Sequence, residues 1–321
     1  MNVFEKFQTV IILLAVGAGL LLGQFIFFEQ YAESFILPFL LLMLYGLFLT
    51  IPLRHLKDAF KKRSFLNISA IINFLWTPTL AWGLGAIFLA DHPAIWIGFI
   101  MLMVTPCTDW YLMFTSIAKG NVPLSTSVLP INLILQVVLL PVYLFIFAGT
   151  IESIPLSTIG ESILLVLVLP FALAHLTRYT LRKKEAFLNE KLVPFFATTQ
   201  IFFLSLAILA MFASQGKYLI NNLEVISILI LPVLLFFVVN FVVAQTVGKV
   251  MKFSYEDTVS LSLTIIARNS PVSLAIAVVA FPDQPLIALA LVIGPLIELP
   301  VLAIVSQLLL SLRKTRKEEN V

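Results

Sequence analysis

The chain alternates between long apolar runs and short polar links. The stretch VIILLAVGAGLLLGQFIFF, residues 10–28, is typical. It lacks the alternation of apolar and polar positions that a barrel strand shows. Its length, about twenty residues, is that of a helix crossing the hydrocarbon core. Ten such runs are placed at roughly 8–28, 33–53, 65–90, 94–118, 122–149, 159–177, 192–213, 225–248, 257–280 and 286–312. The pattern predicts an all-α polytopic membrane protein with ten transmembrane helices. The first run carries no small-residue cleavage site, so it reads as a retained helix.

Two of the ten runs are interrupted. The fourth breaks at TPCTD, Thr105 to Asp109, and the ninth at ARNSP, Ala267 to Pro271, each about eleven residues after its start. A Pro-Leu pair follows each break (Pro123-Leu124, Pro285-Leu286), and the next spans carry LLPVYL and ELPVLA. Five spans per half invert the second copy relative to the first. The expectation is a single transporter domain built as a five-plus-five inverted repeat, about 1–155 and 156–321. Pro106 and Pro271 each remove a backbone donor. The backbone groups so freed find no partner in hydrocarbon and are tolerated only where they line a protein-enclosed or watery cavity. Matching breaks in two halves point to a transporter's binding site.

Composition supports lipid as the solvent. Of 321 residues 60% are hydrophobic and 12% charged, with a mean hydropathy of +1.06, against roughly a quarter charged in soluble domains. Charge distribution supplies an orientation. The N-terminus, the even-numbered loops and the C-terminus hold 18 of the 20 Lys and Arg residues; the odd-numbered loops hold Lys217 and a span holds Arg268. This positive-inside split places both termini in the cytoplasm and the chain in the cell membrane as a multi-pass protein. The basic tail RKTRKEEN reads as a topology anchor. One cysteine excludes an internal disulfide, and His55, His92 and His175 show no metal-ligand spacing. No metal, cofactor or nucleic-acid partner is expected; the partners are the lipid bilayer and a small-molecule or oxyanion substrate.

Three ionisable residues fall near span centres: Asp109, Arg268 and Glu298. A charge there costs at least roughly 2.5–3.5 kcal/mol, so each is expected to face a partner or a water-filled path. Asp109 and Arg268 flank the two breaks, where they would pair or share a water network. Glu298 is a candidate proton carrier, with a structural hydrogen bond as its plainer reading, and Asp109 is a second coupling candidate. Thr105, Cys107, Thr108, Asp109, Arg268, Asn269 and Ser270 are the candidate substrate-binding residues. Cys107 is either a small buried hydrophobe or, beside a cation, a soft ligand. Asn132 and Gln136, one turn apart in the fifth span, are either helix-helix glue or cavity lining.

These residues resemble a known family. AKGNVPLS, Ala118 to Ser125, is similar to the link after the fourth helix in the bile acid:sodium symporter superfamily, and Arg268-Asn269-Ser270 resembles its Gln-Asn-Ser-type motif in the ninth helix. LAIAV (Leu274 to Val278), IGPLIELPVL (Ile293 to Leu302) and the fourth-span Cys107 look more like the arsenite-efflux permease branch. The resemblance implies a panel domain of helices 1, 2, 6 and 7. It also implies a core domain of the other six, in which helices 4 and 9 cross at their unwound points. Sodium-coupled members carry a glutamate four residues before the ninth-helix glutamine. Aligned on Asn269, this chain has Thr264 and Arg268 there, so Arg268 reads as a built-in substitute for the ion. The arsenite branch usually carries a glutamate just before its LAIA; here that position is Ser273.

The expected function is therefore secondary active transport, as proton-linked efflux of arsenite or a similar small oxyacid. The alternative is an organic-anion carrier, with sodium or without. An intramembrane enzyme is not expected, because no His-Glu zinc pattern, paired-aspartate motif or Gly-x-Ser-x-Gly elbow occurs. A channel would share the broken helices but not the repeat, and a scaffold would not need mid-span charges.

Overall fold

The computed structural model describes residues 8–50, 62–108, 110–148, 156–221 and 223–318. Asp109 lies outside these residues, as do Lys6, Arg54, Lys57, Lys61 and Glu152. Apart from one isolated antiparallel bridge, the regular elements among the described residues are helices. We label them α1 (Gln8–Leu22), α2 (Glu33–Thr50), α3 (Arg63–Phe88), α4 (Pro93–Met103), α5 (Trp110–Ile117) and α6 (Val122–Phe147). They continue as α7 (Gly160–Lys183), α8 (Glu185–Lys217), α9 (Ser227–Val250), α10 (Tyr255–Ile266), α11 (Ser270–Ala280) and α12 (Pro285–Arg313). Seven of these, α2, α3, α6, α7, α8, α9 and α12, are long and apolar enough to cross a membrane; shorter apolar helices lie at Val10–Leu22, Pro93–Met103 and Ser270–Ala280. Large hydrophobics such as Leu14, Phe27, Ile87 and Val250 are exposed along them. That pattern suits contact with lipid, not water.

The chain separates into two compact units. The first gathers Met1–Ile51, Ile154–Ile226 and Pro271–Val292. In it α8 packs along α2 and α1, and α7 packs on α2. Glycines set how closely the backbones approach. A Cβ on Gly19 would come within 2.6 Å of the Leu209 carbonyl oxygen, and one on Gly23 within 2.6 Å of that of Ala213. Small residues allow this kind of close helix contact in membranes, where dispersion replaces the hydrophobic effect between helices. The same glycines shorten the first helix. The apolar run to residue 28 predicts one continuous span, but α1 stops at Leu22, and Ile26–Tyr31 forms a separate short helix after a turn at Gly23. Three glycines between 17 and 23 lower the helical preference there. The Tyr45 and Phe196 rings meet edge to face at 5.0 Å, and the Tyr45 hydroxyl lies 2.9 Å from that of Thr177.

The second unit gathers Pro52–Ser153, Ser227–Ser270 and Ile293–Val321. Here α4 packs on α3, and α10 packs on α3, α5 and α6. Two features position the chemistry. First, α3 contains a π-helical turn, Ile72–Trp76, which redirects Asn73 into the interior, where it is fully buried. Such turns commonly serve functional sites. Second, the link between α5 and α6 is bolted to the start of α10. Asn121 caps α6 by accepting the Leu124 N–H at 3.1 Å, and its side chain donates to Asp257 at 2.8 Å. Its backbone N–H donates to Glu256 O at 3.0 Å, and its carbonyl accepts the Ser260 hydroxyl at 3.0 Å. Lys62 joins Asp257 at 2.6 Å. Gly120 leaves no room for a side chain: a Cβ there would meet Val259 at 2.6 Å. The AKGN stretch is thus a docking surface for α10.

Candidate substrate and coupling site

α4 ends at Met103 and α10 at Ile266. Beyond each end the chain is extended, and the two extended segments lie antiparallel, with Pro106 opposite Arg268. The Cys107 N–H donates to Ala267 O at 3.0 Å, and the Asn269 N–H donates to Thr105 O at 2.7 Å. Each break therefore supplies partners for the other, as backbone polar groups away from water require. The Thr105 hydroxyl turns back to the carbonyls of Met101 and Leu102, both at 3.1 Å, and lies 3.2 Å from Asn269 O. The Asn269 side-chain amide donates to the Thr108 hydroxyl at 3.4 Å. Pro106 sits at the bridge itself, and the residue before a proline avoids helical geometry. Pro271 plays a different part. It occupies the first turn of α11, where the missing N–H would be unsatisfied anyway. The ninth-span break lies just before it, at Ala267 to Asn269.

Arg268 is 2% exposed, and its guanidinium donates to four protein oxygens. Its Nη1 donates to Met103 O at 2.9 Å and its Nε to Ile266 O at 3.2 Å. Its Nη2 donates to Asn73 Oδ1 at 3.2 Å and also to Ile265 O. The Phe236 ring lies 5.2 Å from the guanidinium carbon, close enough for a cation–π contact. Three of these four oxygens are carbonyls at the C-terminal ends of α4 and α10. Helix ends leave such carbonyls unpaired, and the helix dipoles place negative partial charge there. One side chain thus caps two helices. Glu298, 1% exposed and carried on α12, accepts the backbone N–H of Arg268 at 2.9 Å. The carboxylate and the guanidinium belong to one buried arrangement, although among the described residues no side-chain ion pair joins them.

The structure brings Thr105, Pro106, Cys107, Thr108, Arg268 and Asn269 together at this junction, with Glu298 against its backbone. Cys107 is 7% exposed and Ser270, the first residue of α11, 4%. Asp109, expected to pair with Arg268, lies outside the described residues. Asn132 and Gln136 are buried on α6, and no hydrogen bond among the described residues ties them to the junction. The sequence reading missed Asn73 and Phe236. A lone asparagine in the apolar run SAIINFLW was a usable signal, because amides inside spans seek polar partners. Phe236 had none, being one apolar residue among many.

Two interrupted helices that satisfy each other around buried charges, inside an apolar helical protein, define a polytopic solute carrier. The comparisons with known proteins agree. A model described as the Sodium Bile acid symporter family matches residues 37–222, more than half of the chain. The protein belongs to that family of membrane transporters. It is 26% identical over 296 residues to the uncharacterized transporter slr0944 of Synechocystis, covering 82% of this chain and 77% of that one. It is 23% identical over 286 residues to the arsenical-resistance protein Acr3 of Corynebacterium glutamicum, covering 83% and 77%. It is 26% identical over 241 residues to the uncharacterized sodium-dependent transporter YocS of Bacillus subtilis, covering 74% and 72%.

Proposed function

We propose that the protein is a proton-linked secondary transporter that exports arsenite or a similar small oxyacid, with both termini in the cytoplasm. One observation carries the reading: the oxygens at the crossing of the two breaks are filled by the chain's own cation, Arg268. A site occupied in this way has no need of a sodium ion. Coupling then falls to a group that can gain and lose a proton, and Glu298 is placed against the same residue. Cys107, at the junction, supplies the soft ligand that trivalent arsenic favours. Relatedness to Acr3 proteins of two organisms supports the substrate.

The proposal includes ten spans arranged as an inverted repeat of about 1–155 and 156–321. Two observations support it: the seven long and three shorter apolar helices, and matched breaks near residues 106 and 268. The core and panel division is supported by the two compact units, apart from the segment Pro271–Val292. The test uses everted vesicles from cells lacking their own arsenite pump. An inside-acid gradient should drive arsenite uptake, and replacing sodium by potassium at constant pH should leave it unchanged. A saturable sodium requirement, or no arsenite movement, would overturn the reading. A reporter fused after Val321 should be active only in the cytoplasm.

A further inference from the structure

α6 has two contrasting sides. Ile134, Val138 and Val142 are exposed toward lipid. Ser125, Leu129, Asn132, Leu133, Gln136 and Leu140 are buried on the other side. Ser125, Asn132 and Gln136 recur at intervals of seven and four residues, which places them on one face over about 16 Å of helix. Asn132 is 1% exposed and Gln136 fully buried. Neither the nitrogen nor the oxygen of either carboxamide has a hydrogen-bond partner among the described residues, and the Ser125 hydroxyl has none either.

The neighbouring polar side chains of the same helix behave differently. Thr126 donates to Val122 O at 3.0 Å, Ser127 to Leu124 O at 2.7 Å and Tyr143 to Phe74 O at 2.6 Å. Buried polar atoms are almost always paired, and leaving one unmet carries the full desolvation penalty of the group. Helix-helix glue requires a partner on the facing helix, and these carboxamides have none among the described residues. Two residues one turn apart whose donors and acceptors all lack partners among the described residues are a stability defect that function can retain.

The chemistry of the pair restricts what meets it. Each carboxamide offers N–H donors and a carbonyl acceptor, and neither carries charge. An acceptor-only anion would satisfy the two nitrogens and leave the two oxygens facing lone pairs. A neutral molecule bearing hydroxyls satisfies both kinds of atom. The unit's buried guanidinium already donates to four protein oxygens. We infer that Asn132 and Gln136 bind the undissociated, hydroxyl-bearing form of the substrate. This assignment rests on the oxyacid reading above.

The test uses the full-length protein in detergent and its thermal unfolding midpoint at pH 7. The probes are arsenite, which is uncharged at that pH, and sulfate, an anion without hydroxyls. Asn132→Leu and Gln136→Met keep the side-chain shape and remove the unmet groups. Arsenite should raise the wild-type midpoint and sulfate should not. Each variant without ligand should unfold at or above the wild-type midpoint, by about 2 °C or more where the defect is fully relieved. Each variant should need at least tenfold more arsenite for the same shift. A variant that keeps the wild-type response to arsenite overturns the assignment. So does a variant whose ligand-free midpoint falls, since that means the carboxamides hold protein partners, and so does an equal response to sulfate. A wild-type midpoint that arsenite does not move overturns the oxyacid reading itself, and the assignment with it.

Discussion

Replacing Arg268 by glutamine removes a guanidinium that meets Met103 O, Ile265 O, Ile266 O and Asn73 Oδ1. A glutamine amide supplies two N–H groups at most, so at least two buried acceptors lose their donor, at about 1–3 kcal/mol each. Glu298 keeps its hydrogen bond to the backbone N–H but loses the nearby positive charge. Breaking a buried charge arrangement by removing one partner costs about 3–5 kcal/mol. The two effects overlap, so the charge effect is taken as the total. At about 2–4 °C per kcal/mol, the midpoint of Arg268→Gln should fall by about 6–20 °C. Arg268→Lys keeps the charge with fewer donors and should fall between the two. Glu298→Gln keeps an acceptor oxygen and removes only charge. Thermal unfolding of the four purified proteins, wild type and the three variants, together with the double variant Arg268→Gln/Glu298→Gln, completes a cycle. The double variant should be more stable than the sum of the single losses predicts, by about 1 kcal/mol or more. An Arg268→Gln midpoint equal to wild type would refute the capping argument, and strictly additive losses would refute the coupling of Arg268 with Glu298.

Cys107→Ser is nearly isosteric, so folded yield should hold while arsenite efflux drops at least tenfold; unchanged efflux, measured in cells, assigns Cys107 to packing alone. Asn121→Ala should lower the unfolding midpoint and transport together, because it uncaps α6 and leaves Asp257 without its amide donor, an effect of about 1–3 kcal/mol. Glu256→Gln is its control: the ion pair with Arg313 spans 3.6 Å at the surface and should contribute no more than about 1 kcal/mol. Gly23→Val should cut folded yield measured by size-exclusion chromatography, since a Cβ there meets the Ala213 carbonyl at 2.6 Å.

Much of the architecture is legible in the sequence because hydrocarbon imposes one rule, that backbone groups pair within the segment. Apolar length finds the seven helices long enough to cross a membrane, and a proline among polar residues marks the interruption at Thr105 and, from four residues further on, the one at Ala267. Helix ends are less legible. The run of apolar residues continues past Leu22, and only the glycines at 17, 19 and 23 hint that the helix stops there. The same holds at the site. The type of residue at 107, 268 and 298 marks it, because a charge or a cysteine beside a break stands out. Their partners do not stand out. Arg268 is met by Asn73 and Phe236, from two other helices, and by carbonyls that every residue carries. The expected aspartate partner, Asp109, lies outside the described residues. What side-chain charges do not reveal is the partial charge that helix ends bring to the same point.

Those partial charges bear on how such a carrier works. α4 and α10 deliver their C-terminal carbonyls to one place, and each helix end carries roughly half a negative charge. Some cation is needed there for the two ends to approach. A diffusible ion in that role can enter and leave with the substrate, and its gradient then drives transport. On the reading proposed above, Arg268, covalently part of α10's continuation, cannot leave and stabilises the crossing without contributing a gradient. On the proton-linked reading, the part of the arrangement able to change charge is Glu298, held by the backbone N–H of the same arginine. Protonating it removes the negative partner of a guanidinium that stays positive. The energy of the crossing then depends on one proton, at the point where the two interrupted helices hold each other.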